Sequence, residues 1–217
     1  MLIGICGLIG SGKDTIAAHL VEQHSYERYS WATPLKDITA TLFGWDREML
    51  EGTTSELRAN RELKDDWWSE KLNRDWSPRK ALQHMGTEVM RDALHPAIWV
   101  LAGQRRIAGK SNVVIPDTRF PNEIEAIREL GGQIWRVKRG DDPEWFQKYR
   151  SHSIIPQDVH PSEYMWANTD FDHEFCNDGN IDDLADMVGS VISNRTTFSA
   201  GHRSYLSNTV GAVGTQI

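Results

Sequence analysis

The chain has 217 residues, 39% of them hydrophobic and 25% charged, and its 31 Asp and Glu outweigh 24 Lys and Arg for a formal net charge of −7. A single domain of this length buries roughly 70% of its unfolded surface and needs no metal or disulfide staple. The acidic balance argues against coating nucleic acid, no apolar run approaches the ~20 residues of a membrane span, and MLIGICGLIG lacks the basic flank of a secretory signal.

In chain order, LIGIC at 2–6 reads as a buried parallel strand entering the glycine loop Gly7–Gly12. KDTIAAHLVEQH then places Ile16, Ala17, Leu20 and Val21 on one helix face. Residues 26–31 suggest a second strand, and Pro34–Phe43 a helix with proline in its first turn. Segment 45–76 mixes nine acidic and six basic residues with Trp45, Trp67, Trp68 and Trp76, and reads as one or two short helices inserted over the core.

Ser77-Pro78 starts a helix running to about Leu94, and another covers 97–108. VVIPD at 113–117 is a strand ending in Asp117; Glu123–Leu130 is a helix stopped by Gly131-Gly132; QIWRVKR at 133–139 is a strand. Residues 140–174 read as a long polar loop with one helical turn, 173–178 as a last strand and 181–192 as a last helix. From Arg195 to Ile217 the chain is rich in Gly, Ser and Thr, and reads as a flexible tail or a partner-binding extension. Alternating strands and helices make an α/β domain with a mainly parallel sheet. Cys6 and Cys176 have no zinc spacing and read as small buried thiols in a reducing, cytoplasmic compartment. His152, His160, His173 and His202 lack metal-ligand spacing and read as surface histidines.

Gly7-Leu8-Ile9-Gly10-Ser11-Gly12-Lys13 fits G-x-x-x-x-G-K between a strand and a helix. Glycines let backbone N–H groups curl inward around phosphate oxygens, and the helix N-terminus adds its positive end. Lys13 would reach between the β- and γ-phosphates of a nucleoside triphosphate, and Ser11 would put its hydroxyl on the transferring phosphate. Asp14 stands where the pattern has Ser or Thr, and the hydroxyl comes one place later at Thr15. Asp14 either binds Mg²⁺ or its waters, or is a solvated first-turn acid favoured by the helix dipole.

Asp117, closing its strand, is placed to hold water on Mg²⁺. Arg119, at the same carboxyl edge, is a clamp for an acceptor phosphate or a structural partner of Glu123. On helix 77–94, Arg79, Gln83, Thr87 and Arg91 are spaced by four as one drifting polar stripe, while Leu82, Met85 and Val89 face the core. The stripe is either a wall of a second substrate pocket or a solvated face. Gly86, mid-helix, lets something approach the backbone closely.

In order, GLIGSGKDT at 7–15, Pro34–Asp37, Pro78-Arg79 with Leu82-Gln83 and Gly86–Glu88, Pro116–Arg119 with Asn122-Glu123, Ser162-Glu163, and Asn177–Gly179 resemble the deoxynucleoside monophosphate kinases of tailed bacteriophages. These are a branch of the P-loop nucleoside monophosphate kinases, and the resemblance spans about 2–192. It implies a P-loop NTPase three-layer sandwich over 1–194, with a helical acceptor-binding insertion at 45–76 and a lid at 140–165.

It also implies transfer of the γ-phosphoryl of ATP to a deoxynucleoside monophosphate, with Mg²⁺ held by Asp14, Thr15 and Asp117. Gly7, Gly10, Ser11, Gly12, Lys13, Asp14 and Thr15 match the ATP cradle, and Asn177 a loop near the adenine. Lys36, Arg79, Gln83, Thr87 and Arg91 match the acceptor side, Asp117 and Arg119 the catalytic edge, and Arg139, Lys148 and Arg150 the lid. The partners implied are small nucleotides, with no nucleic acid or membrane; a homodimer is left open. The alternatives are a P-loop kinase of another acceptor, such as dephospho-coenzyme A, and a non-enzymatic ATP-switched binding protein.

Overall fold

The computed structural model describes residues 1–193; the segment read as a tail, 195–217, lies outside the described residues. Five strands, β1 (Leu2–Cys6), β2 (Glu27–Arg28), β3 (Val113–Ile115), β4 (Gln133–Lys138) and β5 (His173–Cys176), form one sheet in the order β2-β3-β1-β4-β5. Every pairing is parallel, with Leu2 opposite Val113 and Gly4 opposite both Ile115 and Ile134. The helices are α1 (Lys13–His24), α2 (Thr33–Phe43), α3 (Arg47–Glu51), α4 (Ser55–Asn60), α5 (Asp66–Leu72), α6 (Pro78–His84), α7 (Ile98–Ile107), α8 (Pro121–Glu129), α9 (Glu144–His152) and α10 (181–193).

Parallel strands need crossover helices, so both sheet faces are covered. On one face Ile3, Ile5, Val114, Trp135 and Val137 pack with Ile16, Ala17 and Leu20 of α1 and Leu184 and Val188 of α10. On the other, Cys6, Val113, Ile115 and Ile134 pack with residues of α7 and α8, Phe146 of α9 and Trp166. Each such aliphatic side chain stabilises the fold by roughly 1.5–3 kcal/mol. The result is the expected three-layer α/β sandwich, with central β1 carrying the glycine loop at its carboxyl end.

Several elements differ from expectation. β2 keeps two residues of the expected 26–31, because it is an edge strand with β3 as its one neighbour, and the chain turns at Ser30–Thr33. Segment 45–76 holds three short helices, each started by its own side-chain cap. Asp46 accepts from Met49 N (2.7 Å), Thr54 from Leu57 N (3.1 Å) and Asp65 from Trp68 N (2.9 Å). Its tryptophans build a minor core on Phe43, which stacks on Trp45 at 4.6 Å and meets Trp68 edge-on at 4.9 Å.

Ser77 caps α6 as expected, but from Met85 to Asp92 the helix winds as a π-helix. Val89 is exposed rather than in the core, and Leu82 and Met85 are half-buried. The expected loop 140–174 contains α9 and a 3₁₀ turn at Pro161–Glu163. Cys6 is buried as expected, whereas Cys176 is exposed, because β5 is the other edge of the sheet. Among the described residues no helix is long and apolar enough to cross a membrane, and no cluster of three His, Cys, Asp or Glu could hold a metal.

Candidate active site

The loop between β1 and α1 ends at Gly12, whose φ of 109° is left-handed and open to glycine. Gly12 precedes α1 without any side-chain cap, so among the described residues no side chain satisfies the first-turn N–H groups of Lys13, Asp14 and Thr15. Lys13 curls back over the loop, donating from Nζ to Gly7 O (2.7 Å) and Leu8 O (2.8 Å). Burial, reinforced by nearby Arg119, lowers its pKa to about 8. The Ser11 hydroxyl is buried without a hydrogen-bond partner among the described residues. These observations fit an anion in the loop: an uncapped helix start, an unspent hydroxyl and an ammonium held by neutral carbonyls.

Asn177, just past β5, donates from Nδ2 to Ser11 O at 2.9 Å, and its own N–H bonds Lys138 O. It therefore braces the loop from beneath. Asn177→Ala is expected to leave a buried carbonyl unsatisfied and weaken polyphosphate binding to the loop about tenfold by calorimetry, with a small change in Tm.

Asp14 is exposed and ion-paired with Arg28, while Thr15 is half-buried in the same turn. Asp117 spends both oxygens on the chain between β2 and α2. It accepts from Ser30 Oγ (2.6 Å) and Ala32 N (3.4 Å) on Oδ2, and from Trp31 N (3.2 Å) on Oδ1. It thus ties the exits of β2 and β3 together at the carboxyl edge.

The Arg119 guanidinium pairs with Glu163 and reaches Ser162 Oγ at 3.4 Å, so it does not pair with Glu123. Glu123 instead takes the Arg119 and Phe120 backbone N–H groups (2.8 and 3.1 Å), closing the first turn of α8. It is buried, and burial together with Asp117 raises its pKa to about 7 against the ordinary 4.5. A carboxyl raised in the fold adds stability that is full below about 4.5 and lost as pH rises through about 7. Melting curves should therefore move in favour of Glu123→Gln over the wild type between pH 5 and pH 8. A constant difference in Tm would contradict this.

Of the residues expected to meet an acceptor, Lys36 pairs with Glu51 at 2.7 Å, joining α2 to α3. Arg79 is exposed, 4.0 Å from Glu62; Gln83 and Thr87 are also exposed. Arg91 lies 3.8 Å from Glu123 with its guanidinium 5.0 Å from the Phe120 ring centroid, so it faces the edge that carries Arg119.

A cavity of about 300 Å³ opens between the glycine loop and the chain leaving β4, lined by Leu8, Gly10, Ser11, Arg136, Arg139 and Trp166 among others. Arg139 thus lines the same cavity as the loop. Lys148 pairs with Glu144 along α9, and Arg150 is exposed on the same helix, so these two are not brought to the cavity. Arg136, a residue not singled out from the sequence, is buried and bonds both oxygens of Asp142 at 2.6 Å and Glu174 at 2.9 Å. It fixes the start of the 140–165 segment; a charge inside the apolar run QIWRVK was the signal for it.

The family described as deoxynucleotide monophosphate kinase matches residues 45–188. A putative deoxynucleotide monophosphate kinase of Acanthamoeba polyphaga mimivirus is 30% identical over 212 residues, covering 89% of this chain and 97% of that protein. The deoxynucleoside-5′-monophosphate kinase of Escherichia phage T5 is 28% identical over 183 residues, 59% of this chain and 72% of that one. The deoxynucleotide monophosphate kinase of Enterobacteria phage T4 is 23% identical over 248 residues, 88% and 98% of the two chains. A glycine loop and lysine at the end of the central parallel strand, faced by arginines from two other elements, occur here in a chain with these relatives: it belongs to the deoxynucleotide monophosphate kinase family.

Proposed function

We propose that the protein transfers the γ-phosphoryl group of ATP to a deoxynucleoside 5′-monophosphate, yielding ADP and the deoxynucleoside diphosphate. The observation that carries this is the phosphate-ready loop: Lys13 on neutral carbonyls beside the unpartnered Ser11 hydroxyl at an uncapped helix start.

Gly7, Gly10, Ser11 and Gly12 shape the donor cradle, and Lys13 exchanges two carbonyls for phosphate oxygens. Arg119 turns from Glu163 toward the acceptor phosphate. Lys36, Arg79 and Arg91 hold the acceptor anion, and Gln83 and Thr87 meet its base or sugar. Arg139 covers the phosphates as 140–165 closes, excluding water. The acceptor phosphate oxygen attacks in line, so no side-chain nucleophile is required. The protein's own contribution is to position two anions and offset their charge.

Mg²⁺ fits the residues present. A hard cation that keeps several waters and takes substrate phosphates needs one or two carboxylates rather than an all-protein cage. Asp14 and the Thr15 hydroxyl would hold it, with Asp117 through water. When bound, it neutralises charge on the β- and γ-phosphates. The work is cytoplasmic, in keeping with two free cysteines.

A coupled assay offering ATP with each deoxynucleoside monophosphate, and separately with dephospho-coenzyme A, tests the reading. Turnover with at least one monophosphate and none with dephospho-coenzyme A is expected. Bound ATP with no turnover of any nucleotide would overturn it and leave an ATP-switched binding protein.

A further inference from the structure

The π-helical segment Met85–Asp92 is anchored at Gly86. Gly86 is its one buried residue, and two neighbours meet there. The Trp99 indole of α7 donates from Nε1 to Gly86 O at 2.9 Å in a buried setting. From the other side, Leu35 of α2 lies so close that a Cβ on Gly86 would fall 2.9 Å from its Cδ2.

The winding matters for the polar stripe. On an α-helix, at about 100° per residue, positions four apart drift by about 40°, so Arg79 and Arg91 would diverge by about 120°. A π-helix closes i→i+5 hydrogen bonds and winds at about 4.4 residues per turn, roughly 82° per residue. From Met85 onward that turns the drift back, and Gln83, Thr87 and Arg91 all fall within about 45° of Arg79. In the structure Arg79, Gln83 and Thr87 are exposed, and half-buried Arg91 reaches Phe120 and Glu123.

We propose that Trp99 is a positioning residue for the acceptor nucleotide, its indole N–H on Gly86 O holding the π winding that turns Gln83, Thr87 and Arg91 onto one face. The proposal rests on the acceptor-side reading of that stripe given above. A π turn gains nothing over an α turn from its own backbone, so its persistence needs an outside partner. Trp99 supplies the hydrogen bond, and the absent side chain of Gly86 lets Leu35 seat against it. Trp99 is buried, and it acts through the segment it holds.

Trp99→Phe keeps an aromatic ring in this buried place and removes the N–H, together with the volume of the fused pyrrole ring. Initial-rate kinetics should show the acceptor KM rising about tenfold, with kcat and the KM for ATP within about twofold of wild type, the size expected of one buried hydrogen bond. An unchanged acceptor KM overturns the proposal. So does a parallel loss of kcat and both KM values, which is what general loosening of the core would give. Should Trp99→Phe fold poorly, Gly86→Ala alone and combined with Leu35→Ala provide the reading. The single change should weaken acceptor binding by pushing the segment away, and the double should restore it; no restoration overturns the proposal. Wild-type protein that turns over no monophosphate would sink the proposed function instead, so the two failures are distinct.

Discussion

Replacing Lys13 with alanine is expected to lower kcat by roughly three orders of magnitude, because under the proposed function it removes the cation that meets the phosphates in a site of low dielectric. The folded protein should persist. Lys13 is a buried charge satisfied by two carbonyls, so its removal costs two hydrogen bonds but relieves the desolvation that depresses its pKa to about 8. A Tm within a few degrees of wild type, together with the loss of turnover, separates chemistry from stability. A variant retaining a tenth of wild-type turnover would show that the ammonium does not act on the transferred group.

Arg119→Ala is expected to lower turnover by roughly two to three orders of magnitude, the range of a single preorganised cation at a transferring phosphoryl group. The guanidinium is paired with Glu163 and touches Ser162, so a purely structural role has to be excluded. The double variant Arg119→Ala with Glu163→Ala does this. A structural pair, once both partners are gone, leaves no buried charge behind, and activity would recover. An arginine that acts on phosphate cannot be replaced by removing its carboxylate, so the double should remain as slow as the single. Arg119→Lys should recover part of the rate, since a point charge replaces the planar fork.

What could be read from the sequence is what rests on neighbours in the chain. The apolar run LIGIC, the glycines after it and Lys13 lie within twelve residues, so strand, loop and helix start were legible together. So was Ser77-Pro78, where cap and first-turn proline are adjacent. The start of α9 follows Asp142-Pro143, and its apolar side chains are Trp145, Phe146 and Tyr149, weak helix formers; it is a helix because Phe146 packs against Trp166 and the sheet. Gly86 marks the close approach, which Leu35 makes, but the π winding is not legible, since a hydrogen bond from distant Trp99 sustains it.

The candidate site divides in the same way. The identities of Lys13, Asp117, Arg119 and Arg91 came from motif and spacing. Their partners did not, because they lie far along the chain: Asp117 binds the turn at 30–32, and Arg119 meets Glu163 across 44 residues. Glu123 was visible as a partner for the Arg119 side chain and proved to bind its backbone N–H instead. Segment 45–76 reads as one or two short helices and holds three, because the start of each depends on a single cap residue rather than on a periodic apolar face.

The most direct measurement follows the phosphorus atom. Protein incubated with Mg²⁺, ATP labelled in its γ-phosphate and a deoxynucleoside monophosphate should place the label in the deoxynucleoside diphosphate, in step with ADP formation. Label recovered solely as inorganic phosphate, or retained in ATP while the nucleotides are bound, would contradict the account.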